Sequence, residues 1–297
     1  MSEQTQTQRP IVALLGEFSA GKSTLVNVLM KGAHSPVRVT ATQLPPIWYR
    51  YGRGPAIHIA RDGTEAPLPG GDLSSAPLAD TRAIRVEVEA DILLACDLLD
   101  MPGSSDPNMT PDIWDALLPL AQSVLWCTPS TQAWRQSEAA IWEEVPEELH
   151  ERAFLLLTRF DKIRMMEDRK RLLGRVRRET RGLFRSVFPV QLLRALESEE
   201  DSEAWADSGM EAVLSGLSDV LEELGGASSR QGQAEIVPLP RAEARDATPI
   251  DPSGAGAEAP VSAAQSAPSS GIMPRRVTRA ATRTGRPRRA SGEGSLI

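Results

Sequence analysis

The chain is poor in the residues that build disulfide frameworks and soft-metal sites. Its 297 residues include two cysteines, Cys96 and Cys127, and three scattered histidines, His34, His58 and His150. Neither a disulfide scaffold nor a zinc cluster can be assembled from that set. Aromatic residues make up only 4%, and four of the 33 basic residues are lysines: Lys22, Lys31, Lys162 and Lys170. No apolar run approaches the roughly 20 residues that cross a bilayer, so no transmembrane segment is expected. The opening MSEQTQTQRP lacks the basic-then-apolar layout of a secretory signal. These absences point to a reduced, cytoplasmic protein, with a peripheral membrane position as the one variant.

What is present is ordinary for a folded protein, with 41% hydrophobic and 25% charged residues. The net charge of -7 is unevenly divided: the chain from Gly225 onward carries +4 and the part before it -11. The segment 225–297 is rich in Gly, Ala, Ser and Pro without helix or strand period, and reads as a disordered tail. Within it, the segment Arg275–Arg289 holds seven arginines and no acid. Without interleaved aromatics it suits salt-sensitive, non-specific contact with nucleic acid, anionic lipid or the acidic body, or an inert linker. The expected domains are a disordered 1–9, a folded 10–224 and the tail.

Between residues 10 and 224, apolar runs alternate with helical patterns. Strands are expected at Ile11–Leu15, Pro46–Tyr51, Ala56–Ala60, Ile84–Val88, Ile92–Leu99, Ser123–Cys127, Ala153–Leu157 and Val187–Leu193. Helices are expected from Ser23 and over Arg164–Phe184; the stretch Arg164–Arg185 holds eight arginines plus Lys170, which form a solvated face or an interaction surface. Ser208 and Glu211 look like a capping box, opening a helix with an apolar stripe from Met210 to Leu224. Trp126, Trp134 and Trp142 read as packing residues, and the Cys127 thiol as buried filling. This is an α/β three-layer sandwich around a mostly parallel sheet.

Gly16-Glu17-Phe18-Ser19-Ala20-Gly21-Lys22-Ser23, followed by Thr24, fits the phosphate-loop pattern between a strand and a helix. The glycines let backbone N–H groups converge on phosphate oxygens, Lys22 reaches the β- and γ-phosphates, and the Ser23 hydroxyl ligates Mg²⁺. Asp100-Met101-Pro102-Gly103 ends a later strand, placing Asp100 to hold Mg²⁺ and the Gly103 N–H near the γ-phosphate. Thr158-Arg159-Phe160-Asp161 ends another. A carboxylate at Asp161 can accept two hydrogen bonds from guanine N1 and N2, which adenine cannot supply. Taken singly, the second and third motifs could be strand-end turns. Together, at strand ends where open α/β sheets bind ligands, they favour GTP over ATP.

With about 75 residues between the first two motifs and about 55 between the last two, this set resembles the GTPase domain of dynamin-like proteins. Bacterial members look most similar, through G-E-F-[NS]-A-G-K-S. The resemblance covers residues 10–224 and implies a P-loop GTPase fold, GTP and GDP as ligands, Mg²⁺, and a homodimer of G domains. It also implies a switch threonine at Thr42, with Thr40 as the alternative, completing the Mg²⁺ shell. Ser19 and Lys22 join Thr42 as the implied catalytic residues.

The departures from the family pattern matter as well. Ser104 follows Gly103 where Ras-type proteins carry a water-orienting glutamine, Phe18 cannot position water, and Arg159 replaces the usual lysine. The family's fifth motif would fall at Val190–Leu193, with no matching residue. The tail begins where dynamins continue into a helical stalk, so membrane remodelling is not implied. Two other readings stay open: a non-hydrolysing GTP switch that docks an unknown protein partner, and a P-loop ATPase if Asp161 does not read the base.

Overall fold

A computed structural model describes residues 9–30, 44–103, 110–199 and 202–228. Every described residue belongs to one compact unit of the chain. Thr40, Thr42, Ser104, residues 1–8 and the arginine-rich tail segment lie outside the described residues.

Among the described residues nine strands form one sheet: β1 (Ile11–Gly16), β2 (Ile47–Tyr51), β3 (Ile57–Ala60), β4 (Glu65–Pro67), β5 (Thr81–Val88), β6 (Asp97–Asp100), β7 (Ser123–Pro129), β8 (Ala153–Thr158) and β9 (Ser186–Pro189). Their order is β4-β3-β5-β2-β6-β1-β7-β8-β9. From β6 through β1, β7 and β8 to β9 every pairing is parallel. β2 joins β6 antiparallel, so the β2–β5 pair, itself parallel, runs the other way. The central strands are apolar at nearly every position because both faces are covered. β1 shows the division: Val12 and Leu14 enter one core, and Ile11, Ala13 and Leu15 the other. The outer strand β4 is fully exposed and ends on Pro67, which leaves it a poor template for further pairing.

The first core is covered by α1 (Lys22–Leu29), α6 (Leu192–Glu197), α7 (Glu203–Ser208) and α8 (Met210–Ser228). The second is covered by α3 (Pro111–Leu117), α4 (Gln136–Trp142) and α5 (Met166–Glu179). This is the expected three-layer sandwich. In the second core Trp126, Trp134 and Trp142 meet edge to face, with centroids 5.5–6.4 Å apart. Phe184 stacks 4.0 Å from Trp142. The tryptophans are therefore packing residues, as their spacing suggested.

Several expected elements differ. Ile92–Leu99 is not one strand: Ile92–Ala95 forms a short helix, α2, and β6 begins at Asp97. Within it Leu93 is buried while Leu94 is exposed, and Cys96 N–H donates back to Ile92 O, so one turn of helix fits the pattern better than an extended run. The strand expected to Leu193 stops at Pro189, and Leu192 already opens α6. The basic helix is shorter than expected, ending before Gly182 at φ 81°. Ser208 closes α7 rather than opening α8. Gly209 turns the chain at φ 80°, where a Cβ would lie 2.3 Å from Pro189 O, and Ser208 Oγ accepts from Met210 N at 3.2 Å. The stripe of α8 does bury Met210, Val213, Leu217 and Val220.

Candidate nucleotide site

The three motifs follow the C-terminal ends of β1, β6 and β8, on one edge of the sheet. The first loop leaves β1 through Gly16 at φ 133°, where a Cβ would stand 2.2 Å from Cys127 O on the paired strand. Ser19 (φ 59°) and Gly21 (φ 103°) are also left-handed, and together they curl the loop into the start of α1. Lys22 is buried and donates to Gly16 O at 2.9 Å and Glu17 O at 3.0 Å. Ser23 is exposed on the first turn of α1, Thr24 is half-buried, and Ala20 is buried under the loop.

Gly103 abuts this loop. A Cβ there would lie 2.6 Å from Phe18 N and 2.7 Å from its Cα, so only glycine lets the two backbones meet. Asp100 stands half-buried at the end of β6. Burial raises its carboxyl to about 6, opposed by the charge of Lys22. The Ser23 hydroxyl and a carboxylate that burial deprives of solvation are hard oxygen donors of the kind Mg²⁺ takes, so these residues fit that ion.

The third loop is fastened to the first. Thr158 is buried, and its Oγ1 donates to Ala20 O at 2.7 Å. Arg159, left-handed at φ 54°, donates to Ser19 O at 2.8 Å. Asp161 follows on an exposed turn, with Lys162 Nζ 3.3 Å from its carboxylate. Thr158 is thus an internal fastening, Arg159 a surface brace, and Asp161 the outward-facing group of the motif. An open pocket of about 480 Å³ adjoins this turn, lined by Ser130, Thr131, Lys162, Arg164, Met165 and Leu172 among others. Val190, in the place of the fifth motif, is buried and accepts from Phe160 N at 3.2 Å, while Leu193 stands exposed on α6.

The Glu17 side chain turns toward the start of α4. It is buried; its Oε1 accepts from Ser137 Oγ at 2.6 Å, and its Oε2 pairs with Arg135. Both partners belong to the segment that opens α4. The motif pattern gave no sign of them, because the link spans some 120 positions of chain.

Among the described residues no group of three or more His, Cys, Asp or Glu gathers as a metal cluster. No helix there is long and apolar enough to cross a membrane. No family model matches the chain. A stretch of 102 residues is 34% identical to the isoniazid-induced protein IniC of Mycobacterium tuberculosis, in strains CDC 1551 / Oshkosh and ATCC 25618 / H37Rv. That match covers 32% of this chain and 21% of IniC. Two solved structures, both from work on an oligomerised bacterial dynamin pair that senses and tethers membranes, superpose with TM-scores of 0.56 and 0.53 at 14% and 19% identity. They cover 74% and 75% of this chain, which spans 40% and 37% of theirs. At such identities the likeness is one of fold: the described domain shares its architecture with these bacterial dynamins.

Proposed function

We propose that the protein is a dynamin-like GTPase that binds guanine nucleotide with Mg²⁺ and hydrolyses GTP to GDP and phosphate. One observation carries this reading: the loop bearing Lys22 is braced by Gly103 on one side and by Thr158 and Arg159 on the other. A phosphate cradle, a carboxylate for the cation and a base-reading Asp161 are thereby held as one unit. In this reading the loop amides from Glu17 to Thr24 bind phosphate with Lys22, and Asp161 selects guanine. Mg²⁺, held by Ser23, Asp100 and Thr42, would supply charge neutralisation of the phosphates. Ser19 and Thr42 are the proposed partners of the attacking water.

A second copy is the proposed helper. Of the eight exposed large hydrophobic residues among the described residues, five (Phe18, Met165, Met166, Leu193 and Leu196) lie on the segments that follow β1, β8 and β9, on the proposed nucleotide edge. A homodimer across that edge would cover them. The non-hydrolysing switch is the second reading, favoured by Phe18, which is 58% exposed and offers a nearby water no hydrogen bond. The free, buried cysteines suit the reducing cytoplasm proposed for the protein. Phosphate release that rises with protein concentration supports the dimeric GTPase; tight GTP binding without release favours the switch.

A further inference from the structure

A carboxylate on the phosphate loop is an electrostatic liability. A nucleoside triphosphate with Mg²⁺ remains anionic, and an acid beside the receiving amides repels it. Glu17 is that acid, next to Gly16 in the chain, and its side chain is only 9% exposed, so water screens it weakly.

We propose that Arg135 is the counter-charge of this loop: its guanidinium neutralises Glu17 and so sets the affinity for the phosphate groups. It acts through Glu17 as a positioning residue and need not touch the nucleotide. The proposal rests on the nucleotide-binding reading above.

The surrounding structure aims Arg135 at this one task. Trp134, left-handed at φ 55°, turns the chain just before it. The Arg135 backbone N–H then donates to Glu138 Oε2 at 3.0 Å. Glu138 is fully buried, accepting also from Trp126 Nε1 at 3.1 Å and Thr128 Oγ1 at 2.9 Å. The backbone of Arg135 is thus tied to the tryptophan core, while its side chain reaches across to Glu17. Ser137, the second residue of α4, holds the other carboxylate oxygen. The Arg135 side chain is 48% exposed, so its guanidinium stays within reach of salt while it offsets the buried carboxylate of the loop.

The test is equilibrium binding of fluorescently labelled GTP and GDP to the full chain, for wild type, Arg135→Ala, Arg135→Lys, Glu17→Gln and the double variant Glu17→Gln/Arg135→Ala. The sign of charge orders the results. Arg135→Ala weakens GTP about tenfold and GDP about threefold, and high salt shrinks both losses. Arg135→Lys keeps most of the affinity. Glu17→Gln, which still accepts from Ser137, tightens GTP, and the double variant returns to within about twofold of wild type. Arg135→Ala binding like wild type overturns the proposal, as does a double variant no better than Arg135→Ala, which would make the pair merely structural. If Arg135→Ala fails to fold, Glu17→Gln decides alone: no tightening of GTP overturns the proposal. A wild type that binds neither nucleotide overturns the nucleotide-binding reading and this inference with it.

Discussion

Thr158 Oγ1 donates to Ala20 O at 2.7 Å, across 138 positions of chain, and joins the last residue of β8 to the loop after β1. Both residues are buried, so the bond sets the distance between the proposed phosphate cradle and the proposed base reader. Thr158→Val keeps the shape and removes the donor, leaving Ala20 O unsatisfied at a cost of about 1–3 kcal/mol. We expect a lower thermal midpoint, and guanine nucleotide binding weakened more than the melt alone would explain.

Gly103 gives a sharper separation of site from fold. A Cβ 2.6 Å from Phe18 N cannot be accommodated without moving the phosphate loop. Gly103→Ala should therefore reduce nucleotide affinity about tenfold or more while the melting curve shifts little. An unchanged affinity would show that the two loops move apart freely.

The tryptophan cluster sets the stability of the second core. Trp142 is fully buried against Trp126, Trp134 and Phe184. Trp142→Ala should destabilise the domain by about 3–5 kcal/mol, read by chemical denaturation. A loss below about 1 kcal/mol would mean that the cluster repacks.

Both thiols are silenced by burial. Desolvation pushes Cys96 up to about 12, helped by the charge of Asp97. Cys127 is also pushed up to about 12, chiefly by burial, with Lys22 opposing and Asp100 and Glu138 adding to it. A thiol whose proton is held more tightly in the folded state contributes stability that is complete below about pH 9 and lost as pH rises toward 12. Folded protein at pH 8 should resist thiol alkylation, and unfolded protein should label at two sites. Rapid labelling of the folded form would contradict this burial.

Much of this was legible in the sequence, for identifiable reasons. β1, β7 and β8 are covered on both faces, so they appear as unbroken apolar runs, and the phosphate loop needs fixed residues at fixed positions. Shorter elements were misread where an apolar stretch fits two periods. Ile92–Leu99 looks like a strand until Leu94 is found exposed and Cys96 bonded to Ile92. The helices Pro111–Leu117 and Gln136–Trp142 run only two turns each, too short for a periodic stripe to stand out. The contacts of Glu17 with Ser137 and Arg135, and of Thr158 with Ala20, follow from tertiary folding and leave no local pattern.

The central claim is tested most directly by phosphate release from GTP and from ATP, with Mg²⁺ and across protein concentration, beside Lys22→Ala and Asp161→Ala. The account predicts release from GTP alone, abolished by Lys22→Ala, with guanine preference lost in Asp161→Ala and turnover per molecule rising with concentration. Equal turnover of ATP, indifferent to the loss of Asp161, would contradict it.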